Sequence, residues 1–146
     1  MDNPSDSPAS RTREIPAMLK AHGILPTQQR LMIARVLFNQ HQHLSADQVM
    51  QRVNDGRDRV SKATVYNTLG LFVSKGLVRE VLVDPARVFY DTNVGDHHHF
   101  YNVDTGELTD IMATELALAN LPKLPDGTVA EGVNVIIRIS NARPIN

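Results

Sequence analysis

Apolar residues recur at helical spacing through the first part of the chain, and strand-like runs follow. Ile15, Met18 and Leu19 share one side of a short helix predicted over 14–22, and Gly23 is placed to end it. Residues 1–12, rich in Ser, Pro, Asp and Arg, read as a disordered tail. Thr27 is the N-cap of a second helix whose stripe is Leu31, Ala34, Leu37 and Phe38. His41 to Leu44 reads as a connector. Ser45 and Gln48 are spaced as a capping box for a third helix carrying Val49, Met50 and Val53, which ends at Asp55-Gly56. Ser61 caps a fourth helix that stops at Gly76.

The fourth helix is the informative one. Val65, Leu69, Phe72 and Val73 define its buried side. At about 100° per residue, Ala63, Thr64 and Asn67 face the other way, with Tyr66 on the shoulder and Lys62 close by. Small and polar side chains at this end of a helix suit approach to base edges. Two strand runs follow, Leu77 to Val83 and Val88 to Asp91, around a turn at Asp84–Arg87. Helices, a recognition-type helix and a hairpin are the order of a winged helix-turn-helix.

After a hinge at 93–96, strands are predicted at His99–Val103 and Leu108–Ile111. A helix is predicted from Met112 to Leu121, ended by Pro122 and Pro125, and an apolar strand from Gly132 to Ser140. The expected fold class is α+β: a winged helix-turn-helix domain over 13–92, then a small α/β dimerisation and metal-sensing domain over 97–146. A second module of about 50 residues buries little surface alone, so a homodimer is expected.

Charge supports two modules. Residues 1–90 hold 12 Lys/Arg and 8 Asp/Glu, net +4; residues 91–146 hold 3 and 8, net −5, which together make the stated −1. There is no cysteine, which excludes disulfides, thiolate zinc, iron–sulfur clusters and cysteine nucleophiles. Neither a signal peptide nor a membrane-length apolar run is visible, so a cytoplasmic protein with no membrane partner is expected.

Half of the six histidines form the triplet His97-His98-His99, with Asp91, Asp96, Asp104, Glu107 and Asp110 nearby. Imidazole with carboxylate is the ligand set of a divalent transition metal, and Fe, Mn or Zn would suit it. Strand alternation puts His97 and His99 on one face and His98 on the other. Haem is a further possibility, with a triplet histidine as axial ligand. Asp96, His98 and Glu115 form a possible second metal or haem site. A solvated polar turn is the bland reading, and His22 and His41 read as ordinary surface residues.

Leu25-Pro26-Thr27-Gln28-Gln29-Arg30, His43-Leu44-Ser45-Ala46, Ala63-Thr64-Val65-Tyr66-Asn67-Thr68-Leu69, Gly76-Leu77-Val78 and the triplet with Thr105-Gly106-Glu107 together resemble the ferric uptake regulator family. The resemblance runs from about residue 14 to residue 140. It implies an N-terminal DNA-binding winged helix, a hinge and a C-terminal dimerisation domain, with metal at the hinge setting their pose. Carried onto matching positions, the family's sensory site would use His43, Asp91, His97, His99 and Asp110, with Tyr90 as the competing alignment for Asp91. Many members carry two cysteine pairs for structural zinc; Asn102 and Thr105 stand in the first pair's places, and Asn141 stands where an auxiliary site would use His. The cysteine-free pattern is similar to the iron response regulator branch, which senses iron through haem.

The function this implies is a metal- or haem-responsive transcriptional repressor of iron and haem homeostasis genes, not an enzyme. Its homodimer would bind an A/T-rich palindromic operator on double-stranded DNA. Ser61, Lys62, Ala63, Thr64, Tyr66 and Asn67 would face the major groove, Tyr66 meeting a thymine methyl and Asn67 an adenine edge. Many family members have Arg where this chain has Asn67. Lys20, Arg30, Arg57, Arg59 and Lys62 would position the phosphate backbone. The rivals are a metal- or haem-buffering protein without a DNA role and a metal-dependent hydrolase. The hydrolase needs an open coordination position, and no nucleophile or substrate pocket is suggested.

Overall fold

The structure, a computed structural model, describes residues 8–56 and 59–143. It divides into two compact units, Met1–Val94 and Gly95–Asn146.

The first unit holds α1 (Pro8–Ala21), α2 (Gln28–Phe38), β1 (His43–Ser45), α3 (Ala46–Val53), α4 (Lys62–Ser74), β2 (Arg79–Asp84) and β3 (Arg87–Asp91). Helix α1 starts earlier than expected: residues 8–12 are helical, and 1–7 lie outside the described residues. It stops as its sequence predicts. Gly23 adopts φ +73°, Gly23 N–H donates to Lys20 C=O at 3.0 Å, and Ile24 N–H donates to Leu19 C=O at 2.8 Å. That pair of bonds is a Schellman cap. Helix α4 ends the same way: Gly76 at φ +75°, Gly76 N–H to Val73 C=O at 3.0 Å and Leu77 N–H to Phe72 C=O at 2.9 Å.

The N-caps also follow the sequence. Thr27 and Ser61 each accept a backbone N–H, and Ser45 with Gln48 forms the full capping box. Helix α3 stops at Val53, short of Asp55. Asn54 then binds Val60 in both directions, N–H of Val60 to Oδ1 at 2.7 Å and Nδ2 to Val60 C=O at 3.0 Å. These bonds anchor the segment that leads into α4.

One core serves this unit. Ile15, Leu19, Ile33, Leu37, Val49, Val65, Leu69 and Phe72 are fully buried and cluster together. The α2 stripe is rotated from the expected one: Ile33 is buried, while Leu31 and Phe38 are only half-buried. The sheet order is β1-β3-β2, all antiparallel. Strand β1 forms where the sequence reads as a connector. Its three residues pair with the end of β3 and turn a hairpin into a sheet.

The second unit is a sheet of order β5-β4-β6, built from β4 (His97–Asn102), β5 (Leu108–Met112) and β6 (Ile136–Ile139). Strand β4 is central, antiparallel to β5 and parallel to β6. A parallel pair needs a crossover, here residues 113–135. The helix expected from Met112 to Leu121 is not formed. Met112 closes β5, Ala113–Glu115 makes one 3₁₀ turn, and no helix follows. A helix of this length is marginal without packing, and Leu118 and Leu121 are exposed. Asn120 at φ +63° stops any helix there. The strand expected over 132–140 shrinks to Ile136–Ile139, the residues that β4 has partners for. The unit is therefore a sheet with an irregular crossover.

Candidate metal centre and nucleic-acid face

In the first unit, β1 and β3 pair His43 with Asp91 and Leu44 with Tyr90. Alternation then separates two neighbours on β3. Tyr90 enters the core cluster, and Asp91 shares a face with His43. The register therefore puts Asp91 beside His43, and Tyr90 on the other side. Asp91 is only 1 % exposed, and its Oδ1 accepts the Asn93 N–H at 2.8 Å. Tyr90's hydroxyl is held above its ordinary value near 10, first by burial, then by the charge of Glu80 and by Tyr66.

Gln42 and Thr92 brace this pairing from outside. Gln42 N–H donates to the Thr92 hydroxyl at 3.2 Å, and Thr92 N–H donates back to Gln42 C=O at 3.2 Å. The Gln42 amide also donates to the last-turn carbonyls of Val36 and Leu37, at 2.8 and 3.0 Å. It thereby joins the end of α2 to the strand that carries His43. Sequence reading missed both residues, because neither lies in a local motif; only the pairing of β1 with β3 brings them together.

In the second unit, β4 and β5 pair His99 with Asp110. Asp110 Oδ1 lies 3.3 Å from His99 Nε2 and 3.7 Å from His97 Nε2. The two imidazoles meet edge-on, their centroids 4.5 Å apart. His97 Nδ1 is 2.7 Å from Gly95 C=O. A carbonyl only accepts, so Nδ1 carries the proton, and a neutral His97 turns its Nε2 lone pair toward Asp110. A backbone acceptor on the far nitrogen is also the support that metal-ligating histidines use. The donor set fits a divalent metal.

His98 points to the opposite face, as alternation requires. Its Nδ1 accepts the Val135 N–H at 3.0 Å. The neutral ring then carries its proton on Nε2 and offers no free lone pair. Asp96 and Glu115 are exposed and form no cluster with it among the described residues. The structure does not assemble the second site of Asp96, His98 and Glu115, nor a haem ligand at His98. The physical reason is that the backbone N–H of Val135, just before β6, takes the His98 ring nitrogen as its acceptor. Around Asn102 a polar network is formed: its Nδ2 donates to Asn141 Oδ1 at 2.8 Å, and Asn141 N–H donates to Asp104 Oδ2 at 2.8 Å.

On α4 the predicted outer face is exposed at Lys62, Ala63, Tyr66 and Asn67, with the cap Ser61, while Thr64 is half-buried. Lys62 Nζ lies 5.7 Å from the centre of the Tyr66 ring, a cation–π distance. Lys20 and Arg59 are exposed. Arg30 is half-buried and donates to Leu25 C=O at 3.0 Å. Arg57 lies outside the described residues. Among the described residues, no helix is long and apolar enough to cross a membrane.

Comparison with known proteins matches this plan. A peroxide-responsive repressor (PerR) of Staphylococcus aureus strain Mu50 is 32% identical over 100 residues, 68% of each chain. In fold, the chain is similar to the ferric uptake regulator of Pseudomonas aeruginosa solved with manganese. The TM-score is 0.65 at 24% identity, covering 87% of this chain and 97% of that one. The Vibrio cholerae ferric uptake regulator gives a TM-score of 0.67 at 20% identity, covering 87% and 99%. The model of the Ferric uptake regulator family matches residues 21–124. That span takes in α2, the capped α4, the wing and the histidine-bearing strand, and on it the chain belongs to the ferric uptake regulator family.

Proposed function

We propose that this chain is a homodimeric, metal-responsive repressor of iron or haem homeostasis genes, with His43, Asp91, His97, His99 and Asp110 as its sensory ligands. The observation that carries the reading is a division of labour. One unit sets His43 beside Asp91, and the other turns His97 and His99 onto Asp110. Helix α4 belongs to the first unit. Ligation by both sets restricts the pose of α4 relative to the second unit. DNA affinity shifts only as far as metal affinity differs between poses.

The mixed nitrogen and oxygen set suits Mn, Fe or Zn. The P. aeruginosa relative was solved with manganese. Inorganic metal is preferred to haem because Asp110 brings a carboxylate oxygen to both His97 and His99, the mixed nitrogen and oxygen set of a divalent ion. Exposed Leu118, Leu121, Leu124, Val133, Ile137 and Ile139 on the second unit supply apolar surface for a second copy.

The test is a mobility shift on A/T-rich palindromic duplexes with Mn(II), Fe(II), Zn(II) or chelator, across salt. Metal-dependent retardation is expected. Absence of binding at low salt under every metal condition refutes the regulator reading and leaves metal buffering. A Soret band in protein purified from its host, lost in a His97/His98/His99→Ala variant, would instead establish haem. The PerR relative favours a second reading, peroxide response. It predicts that peroxide lowers the affinity of the metal-loaded protein for DNA.

A further inference from the structure

Within the first unit, a cavity of about 490 Å³ opens between the start of α2 and the middle of α4. Gln28, Gln29, Arg30, Thr64, Asn67 and Thr68 line it, and among the described residues no carboxylate does. The chemistry at its wall is a surplus of donors. Helix α2 has 11 residues, and the Thr27 hydroxyl takes the N–H of Arg30, the third residue, at 3.3 Å. The first two N–H groups, of Gln28 and Gln29, have no acceptor inside the helix. Its positive end adds partial charge at the same place.

Helix α4 supplies an independent observation. Thr68 is a polar residue only 5 % exposed. Its hydroxyl has no hydrogen-bond partner among the described residues, yet it is not a sealed unsatisfied group. Its remaining surface opens on this cavity. Thr64 Oγ1 accepts the Ser61 hydroxyl at 2.9 Å, so its own proton is left to donate. Arg30 Nη1 donates to Leu25 C=O at 3.0 Å, which holds the guanidinium and leaves its other N–H groups for an acceptor.

We propose that this cavity is a phosphate-binding site and that its ligand is a phosphodiester of the DNA backbone. The Gln28 and Gln29 amides, the Thr68 hydroxyl and the Arg30 guanidinium hold the anion. The DNA half of this proposal rests on the regulator reading above; the anion half does not. The site changes the role expected of Asn67. Lying on the cavity wall next to Thr68, it steadies the backbone, and groove reading falls to Lys62, Ala63 and Tyr66. Sequence reading missed Gln28, Gln29 and Thr68, because α2 carries no base-reading pattern and Thr68 falls on the buried side of α4.

The test uses ¹⁵N-labelled full-length protein, titrated with inorganic phosphate and separately with an A/T-rich palindromic duplex, against chloride at matched ionic strength. Both titrants are expected to shift the Gln28 and Gln29 amides saturably. Thr68→Val, which keeps the shape, should weaken both about tenfold, the worth of one hydrogen bond to a charged group. The loss should be equal for palindromic and scrambled duplexes, since phosphate contacts carry no sequence information. Arg30→Gln should lower the salt slope of DNA binding by about one.

Unmoved amides in both titrations overturn the site. So does a Thr68→Val protein that is folded and binds as the parent, or one that loses affinity for a single sequence only. A response to phosphate but not to bound duplex assigns the cavity to a free anion and overturns the DNA half. If no duplex binds at all, the regulator reading and the DNA half fall together, and the phosphate titration still decides the anion site.

Discussion

Asp91→Asn and Asp110→Asn form a matched pair, one in each unit. Each keeps side-chain volume and removes one charge. Neither should unfold the metal-free protein. The Asp91→Asn side chain keeps an oxygen for the Asn93 amide that Asp91 Oδ1 now accepts at 2.8 Å. Asp110 is 42 % exposed, so its contacts with the imidazoles are solvent-screened and contribute little alone. The metal-bound protein should respond strongly. Even groups that only support a ligand are worth roughly 10–100-fold in metal affinity, so losing a ligand should cost about 100-fold or more. At a free metal concentration near 100 times the dissociation constant, the parent gains about 2.7 kcal/mol. A variant bound about 100-fold more weakly gains about 0.4 kcal/mol at that concentration. The difference of about 2.3 kcal/mol corresponds to a metal-induced Tm rise smaller by roughly 5–9 °C, at about 2–4 °C per kcal/mol for a chain of this size. Calorimetric melting with and without Mn(II) or Zn(II), alongside direct metal titration, reads it. Both variants should lose affinity, and both should lose metal-dependent DNA binding. If Asp91→Asn keeps the parent's metal affinity and Tm rise while Asp110→Asn loses them, the second unit holds the metal alone, and the five-residue site is wrong.

Two more predictions concern the first unit. Tyr90 holds its proton more tightly folded than unfolded, mainly through burial and then through Glu80 and Tyr66. Its contribution is therefore fully present below pH 10 and is lost as pH rises through the higher folded value; Tyr90→Phe should flatten the alkaline fall in Tm, and an unchanged slope would refute this. Gly76 sits at φ +75° with open space where a Cβ would go, so Gly76→Ala meets backbone strain only. It should cost about 1 kcal/mol in urea unfolding, with no change in m-value.

The sequence by itself determined what is local. Caps at Thr27, Ser45 and Ser61 and stops at Gly23 and Gly76 depend on bonds within a few residues, and all form as read. The same holds for the outer face of α4, save Thr64, which is half-buried, and for the opposition of His98 to His97 and His99, since helical turn and strand alternation set them. Tertiary structure decided the rest. His41 to Leu44 carries no strand signal, and β1 exists because β3 offers it partners; the same pairing puts Asp91 rather than Tyr90 beside His43. The expected Met112–Leu121 helix had apolar residues but nothing to bury them against, and a stretch that short does not hold itself. The proton positions on His97 and His98 follow from backbone groups that the sheet brings up, Gly95 C=O and Val135 N–H. A sequence states which nitrogens are present; the hydrogen bonds of the fold decide which of them can meet a metal.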